Sequence, residues 1–123
     1  MKECLRPAFV AALLIILPTG ASAAPSYLRC SFTKDGSTVV LSVTADEDSG
    51  TVTTVVENTG HSERQNAVFS ATSVRWNSPM DYGGLRYEIS RTDLSIVRDL
   101  VIGDKTFTDR GTCAVQKAPK RAF

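Results

Sequence analysis

Residues 85–91 read LRYEISR. Leu85, Tyr87 and Ile89 are apolar or aromatic, and Arg86, Glu88 and Ser90 between them are polar. Side chains alternate between the two faces of a β-strand, so this stretch predicts a strand with one dry and one wet face. The same reading extends outward in both directions. Leu94 to Ile102 follows as a strand, then Lys105 to Thr108, then Thr112 to Gln116. Upstream, Ala67 to Trp76 carries Phe69, Val74 and Trp76 and predicts either one bent strand or two short ones. Thr51 to Glu57 is rich in β-branched residues. In the second segment Val39, Leu41, Val43 and Ala45 face one way, and in the first Leu28, Cys30 and Phe32 do so.

Turn residues separate these segments at regular intervals. Asp35-Gly36 is a strong hairpin signal. Asp46 to Gly50, Asn58 to Gly60, Asn77 to Gly84 and Gly103-Asp104 mark further breaks. Gly60 to Asn66 reads as a polar loop, and Asn77 to Gly84 as a long one. No helical period occurs after the first two dozen residues. Turns about every 8–12 residues are the mark of a sandwich or barrel. The predicted fold is therefore all-β: a small antiparallel β-sandwich or barrel of seven to eight strands.

The N-terminus has a different character. Lys2 and Arg6 precede the apolar run Phe9 to Leu17, and Pro18, Gly20 and the small residues Ala21 to Ala24 follow it. This is the layout of a cleavable signal peptide, predicted over 1–24. The apolar run is well short of the roughly 20 residues that span a bilayer, and no later segment comes near that length. The division is thus signal peptide 1–24, one β domain 25–116, and a basic flexible tail 117–123. The predicted location is periplasmic or secreted.

Cys4 leaves with the signal peptide, so Cys30 and Cys113 form an even pair in an exported chain. They are predicted to form one disulfide between the first strand and the last. The chain holds 14 Lys+Arg and 13 Asp+Glu. Setting aside Lys2, Arg6 and Glu3 leaves the two signs equal. A neutral domain lacks the cationic surface on which nucleic-acid capture rests, so nucleic acid is excluded as the main partner.

Few residues suggest chemistry. His61 is the only histidine. It is the one candidate general base for a hydrolase, but a triad also needs a nucleophile and an orienting acid, and no Gly-x-Ser-x-Gly segment occurs. Asp46, Glu47 and Asp48 are hard-oxygen donors of the kind that hold Ca²⁺, without the spacing of a calcium loop. They read as a solvated hairpin tip. Arg75, Arg86, Arg91 and Arg98 read as spread along the polar face of the sheet, with a sugar- or phosphate-binding row as the sharper alternative. No catalytic, cofactor or metal residue is assigned. The candidate interface is the segment around Trp76, Met80, Tyr82 and Arg86, because aromatic residues, Met and Arg are enriched in protein interfaces.

The signal peptide, early Cys30, Tyr87-Glu88-Ile89-Ser90-Arg91-Thr92, Gly111-Thr112-Cys113 and the terminal Lys120-Arg121-Ala122-Phe123 together carry a resemblance. The chain resembles small uncharacterised exported β-rich proteins of Gram-negative bacteria. The resemblance implies a compact β domain with one disulfide and brings no activity with it. Ser78 to Tyr82 and Gly84 to Tyr87 are loosely similar to the inhibitory segment of periplasmic lysozyme inhibitors of the small β-barrel type. The functional expectation is a non-enzymatic exported module that binds a cell-envelope protein. The alternatives are a lysozyme-inhibitor-like protein, the His61 hydrolase, and a structural envelope protein.

Overall fold

A computed structural model describes residues 24–118. The expected signal peptide, apart from Ala24, lies outside the described residues, as does the tail beyond Ala118. Eight strands follow one another: β1 (Ser26–Lys34), β2 (Ser37–Asp46), β3 (Thr51–Val56), β4 (Ser62–Phe69), β5 (Ser73–Met80), β6 (Gly83–Ser90), β7 (Ser95–Ile102) and β8 (Lys105–Gln116). Each pairs antiparallel with its neighbours in sequence, and β8 pairs back onto β1 to close a barrel.

Closure rests on a register in which Cys30 lies directly opposite Cys113, and the disulfide joins them across that seam. Gly111 pairs with Phe32 two residues away. A Cβ on Gly111 would overlap the Ser31 carbonyl oxygen and crowd the Phe32 ring. Because the obstacle is backbone, it cannot swing aside. Gly111→Ala is expected to cost about 2 kcal/mol, typical of overpacking a tight site, and to lower the urea midpoint of unfolding.

The first hairpin follows its sequence signal. Asp35 and Gly36 both take positive φ, at 51° and 80°. That is the requirement of the turn whose twist suits a two-residue hairpin, and Gly meets it without a Cβ penalty. Leu94 also takes positive φ, at 62°. A leucine there is strained by roughly 1–2 kcal/mol. Two backbone hydrogen bonds hold it: its N–H donates to the Ser90 carbonyl at 3.0 Å, and its carbonyl accepts from the Cys113 N–H at 2.8 Å. In return its side chain packs on the core.

Several sequence boundaries need correction. Ser62 to Asn66, expected as a polar loop, forms most of β4, and it pairs with Thr51 to Val55. Its alternation is real but polar, with Glu63 and Gln65 in phase with Ala67 and Phe69. Asn77 to Met80, expected in a long loop, continues β5, leaving only Asp81 and Tyr82 as a tight turn before β6. The segments Lys105–Thr108 and Thr112–Gln116 fuse into the single strand β8. The stretch from Ala67 to Trp76 resolves into two strands, separated by a turn after Phe69.

The barrel has two unlike ends. The chain enters at Ser26 and leaves at Gln116 on the same end, which also carries the turns after β2, β4 and β6. The interior towards this entry end is apolar, with Leu28, Cys30, Val43, Ala45, Val52, Val74, Ile89 and Ile96 buried. One inward-facing row then runs across five strands through the cross-strand partners Ala67, Trp76, Tyr87, Arg98 and Asp109. Beyond that row, towards the far end, β4 and β5 turn polar residues inward, Glu63, Gln65 and Ser78, while Leu85 on β6 still packs on the core. Eight strands leave an interior that side chains can just fill, so this change in polarity belongs to the packed core itself.

Candidate functional site

Strands β4 and β5 pair only from Phe69↔Val74 to Ala67↔Trp76, and then part. The register explains why. Extended towards the far end, it would place Asn77 opposite Asn66 and Pro79 opposite Arg64. In an antiparallel ladder every second residue turns its N–H and C=O towards a given neighbour. The Ser70 N–H bonds the Ser73 carbonyl, so Arg75, Asn77 and Pro79 are the β5 residues that face β4. Pro79 has no N–H to give, and proline is tolerated in a sheet only where a ladder is not needed.

Side chains bridge the gap where the backbone stops. The Ser78 hydroxyl donates to Glu63 Oε1 at 2.5 Å. Glu63 also accepts from Gln65 Nε2 at 3.2 Å, and its second oxygen lies 2.7 Å from His61 Nε2. The Ser78 hydroxyl and the His61 ring together hold the Glu63 carboxyl below the usual carboxylate range, with Ser78 the larger cause. Deeper in, Arg98 places its guanidinium 4.6 Å from the Phe32 ring centroid and bonds Asp109 Oδ2 at 2.7 Å. The Arg98 bond is the main reason that the Asp109 carboxyl is also lowered. Burial pushes the neighbouring Tyr87 phenol up, with the Arg98 charge working against that.

Stability should therefore fall in acid. Both carboxyls titrate lower in the folded protein than in the unfolded chain. Their contribution is complete above the unfolded values near pH 4 and is lost as pH falls through the folded ones. Urea unfolding at pH 3 is expected to show a lower midpoint than at pH 6. Ser78→Ala, which removes the larger cause at Glu63, should flatten that loss. An equal loss in the variant would show that Glu63 takes no part.

Outside the gap, a groove of about 610 Å³ crosses the outer face of β4 to β7. It is walled by outward-facing residues such as Asn66, Asn77, Arg86 and Asp99, and it is also bordered by Trp76 and Tyr87, which lie between them on β5 and β6. Trp76 and Tyr87 stack with ring centroids 4.9 Å apart. The structure separates the four candidate interface residues. Trp76 is only 4% exposed and belongs to the core. Arg86 points outward, 3.7 Å from Asp99. Met80 and Tyr82 stand at the hairpin end, 41% and 69% exposed. Gly83 and Gly84 do not bend a loop for a partner. A Cβ on Gly83 would overlap the Val101 carbonyl oxygen, so that glycine serves the close approach of β7.

The other sequence candidates are dispersed. His61 and Ser78 both touch Glu63, on different oxygens, so Ser78 gives its hydrogen bond to a carboxylate rather than to the histidine. A hydrolytic triad has the opposite order, with the base between nucleophile and acid. In the acidic turn Asp46 accepts from the Ser49 N–H, and Glu47 pairs with Arg91 at 3.1 Å. Among the described residues no three His, Cys, Asp or Glu side chains come together as metal ligands. Of the four arginines expected on the polar face, Arg98 turns inward instead. Its phase with Ile96 in SIVRDLVI is the signal that finds it. Comparison with known proteins finds no matching family model, no matching curated relative and no matching solved structure.

Proposed function

We propose that this protein is an exported, non-enzymatic binding module that engages a protein of the cell envelope through the β5–β6 hairpin and the groove beside it. One observation carries the reading: Tyr82, an aromatic side chain left 69% exposed at the tip of a tight turn. Tyr82 shares the turn end with exposed Met80, and Arg86 lies four residues further along β6 on the outer face; Tyr, Met and Arg are residue types enriched at interfaces. The strands behind it are held in an eight-pair register, so the anchor is presented with little entropy left to lose on binding. The disulfide suits an oxidising compartment, which supports export.

The test is capture from envelope extract by the oxidised domain, run beside the double variant Tyr82→Ala/Arg86→Ala. A single stoichiometric partner should bind the wild type and lose at least tenfold in affinity for the variant, whose circular dichroism and melting temperature stay unchanged. Equal capture by both proteins removes this hairpin from the reading. Lysozyme is the first defined partner to titrate, because the hairpin is the segment that resembles the inhibitors. Loss of lysozyme activity with wild type but not with the variant would assign that alternative.

A further inference from the structure

The parting of β4 and β5 leaves two strand edges facing each other. On β4 the peptide groups alternate in direction. The Val56 N–H donates to the His61 carbonyl and the Ala67 N–H to the Gly50 carbonyl, so the odd-numbered residues of this stretch turn towards β3. Ser62, Arg64 and Asn66 therefore turn their N–H and C=O groups towards β5. Beyond Ala67↔Trp76 no ladder pair meets them among the described residues. The β5 edge is poorer, since Asn77 offers both groups but Pro79 a carbonyl alone.

The groove lies at the root of this fork. It borders Gln65 and Asn66 on one strand and Trp76 and Asn77 on the other. On the inner side the Ser78–Glu63 hydrogen bond spans the fork, which leaves the outer face as the approach. The charges that line the groove balance, with Arg75 opposite Glu88 and Arg86 opposite Asp99. Recognition therefore falls on the backbone edge rather than on net charge.

That edge has a definite chemistry. Residues two apart along β4 present a donor and an acceptor about every 6.8 Å. An extended peptide repeats the same spacing with complementary groups, and strand addition to an open edge is a recurrent mode of peptide recognition. The exposed side-chain amides of Asn66 and Asn77 add further donors and acceptors beside it. Val68, 60% exposed, and Val97 supply apolar surface. We infer that the groove takes an extended peptide segment, which adds as a strand to the 62–66 edge of β4. The inference rests on the binding reading above and names what the partner presents: a stretch of free backbone rather than a folded surface.

The probe is a pentapeptide, Thr-Val-Thr-Val-Thr, acetylated and amidated at its ends. It is titrated into the full-length oxidised protein, with amide shifts followed by NMR. Saturable shifts are expected at Arg64, Asn66 and Asn77, with slower hydrogen exchange at Arg64 and Asn66 in the complex. The same peptide N-methylated at its three central residues loses donors on both of its edges and should bind about tenfold more weakly. Asn66→Pro removes a donor from the fork and none from the β3 ladder, and should weaken binding of the unmodified peptide about fivefold. Should that variant fail to fold, the methylated peptide carries the comparison. The inference is overturned if the peptide shifts no residue of the fork, if both peptides bind equally, or if folded Asn66→Pro binds as tightly as the wild type. The titration needs no envelope partner, so the two readings fail separately. Capture that depends on Tyr82 and Arg86, beside a silent titration, would overturn the strand addition alone. A peptide bound at the fork, beside capture indifferent to that double variant, would overturn the hairpin reading alone.

Discussion

Replacing Cys30 and Cys113 together by Ser is expected to lower the stability of the oxidised protein by about 4 kcal/mol, close to the chain-entropy value for a loop of this length. The two residues are separated by 83 positions, so the bond closes nearly the whole domain into one loop. In the unfolded chain that loop removes much conformational freedom. In the folded state the two cysteines are already cross-strand partners. For a domain of about 100 residues, 4 kcal/mol corresponds to a fall in melting temperature of roughly 20 °C. Urea unfolding of the wild type and of the double variant, both followed by far-ultraviolet circular dichroism, measures the difference. A loss below about 1 kcal/mol would show that the β1–β8 hydrogen bonds hold the seam without the bond. A second consequence follows from the topology. If the seam opens, β1 and β8 become the two free edges of a long curled sheet, and free edges pair with other chains. The double variant should therefore aggregate more readily at high concentration.

Trp76→Ala is expected to have an effect of similar size, about 4 kcal/mol. Trp76 is almost wholly buried, and its ring is stacked on Tyr87. The lost transfer energy of the ring, the cavity left behind and the lost aromatic pair all act in the same direction. The site has little capacity to collapse. Its neighbours in the inward row are Ala67, too small to fill the space, and Tyr87, whose partner Arg98 is fixed on Asp109. Trp76→Phe keeps a ring in place and should cost less than half as much. Chemical unfolding of both variants reads the two values. A cost under 1 kcal/mol for the alanine variant would mean that the parting of β4 and β5 relaxes around the gap. These variants also separate core from interface. Trp76→Phe should leave partner affinity nearly unchanged, whereas Tyr82→Ala/Arg86→Ala should reduce affinity and spare stability.

Local chemistry alone determined a large part of this protein. Alternation in LRYEISR and in Leu28 to Phe32, with Asp-Gly at a two-residue turn, is enough to specify antiparallel strands and one hairpin, because the period of two and the positive φ at Asp35 and Gly36 are properties of short segments. The pairing of Cys30 with Cys113 was legible once Cys4 was set aside with the expected signal peptide, since the two cysteines that remain leave one choice. Met80, Tyr82 and Arg86 could be picked out by residue type, and the structure places all three at the surface.

Tertiary structure decided the rest. A sandwich and a barrel show the same alternation, and only the meeting of β8 with β1 separates them. Ser62 to Asn66 carries no apolar residue, so nothing local marks it as a strand; it becomes one because β3 supplies a partner on one side. Asn77 to Met80 looks like a loop from its Asn, Ser and Pro, yet β6 offers it a ladder, and Pro79 faces the one side where no ladder forms. Trp76 has the composition of an interface residue, and the register turns it inward instead. Glu63, Arg98 and Asp109 were missed as a group because they are far apart in sequence. A carboxylate or guanidinium enters a barrel only when partners from other strands satisfy it, and those partners exist only once the barrel has closed.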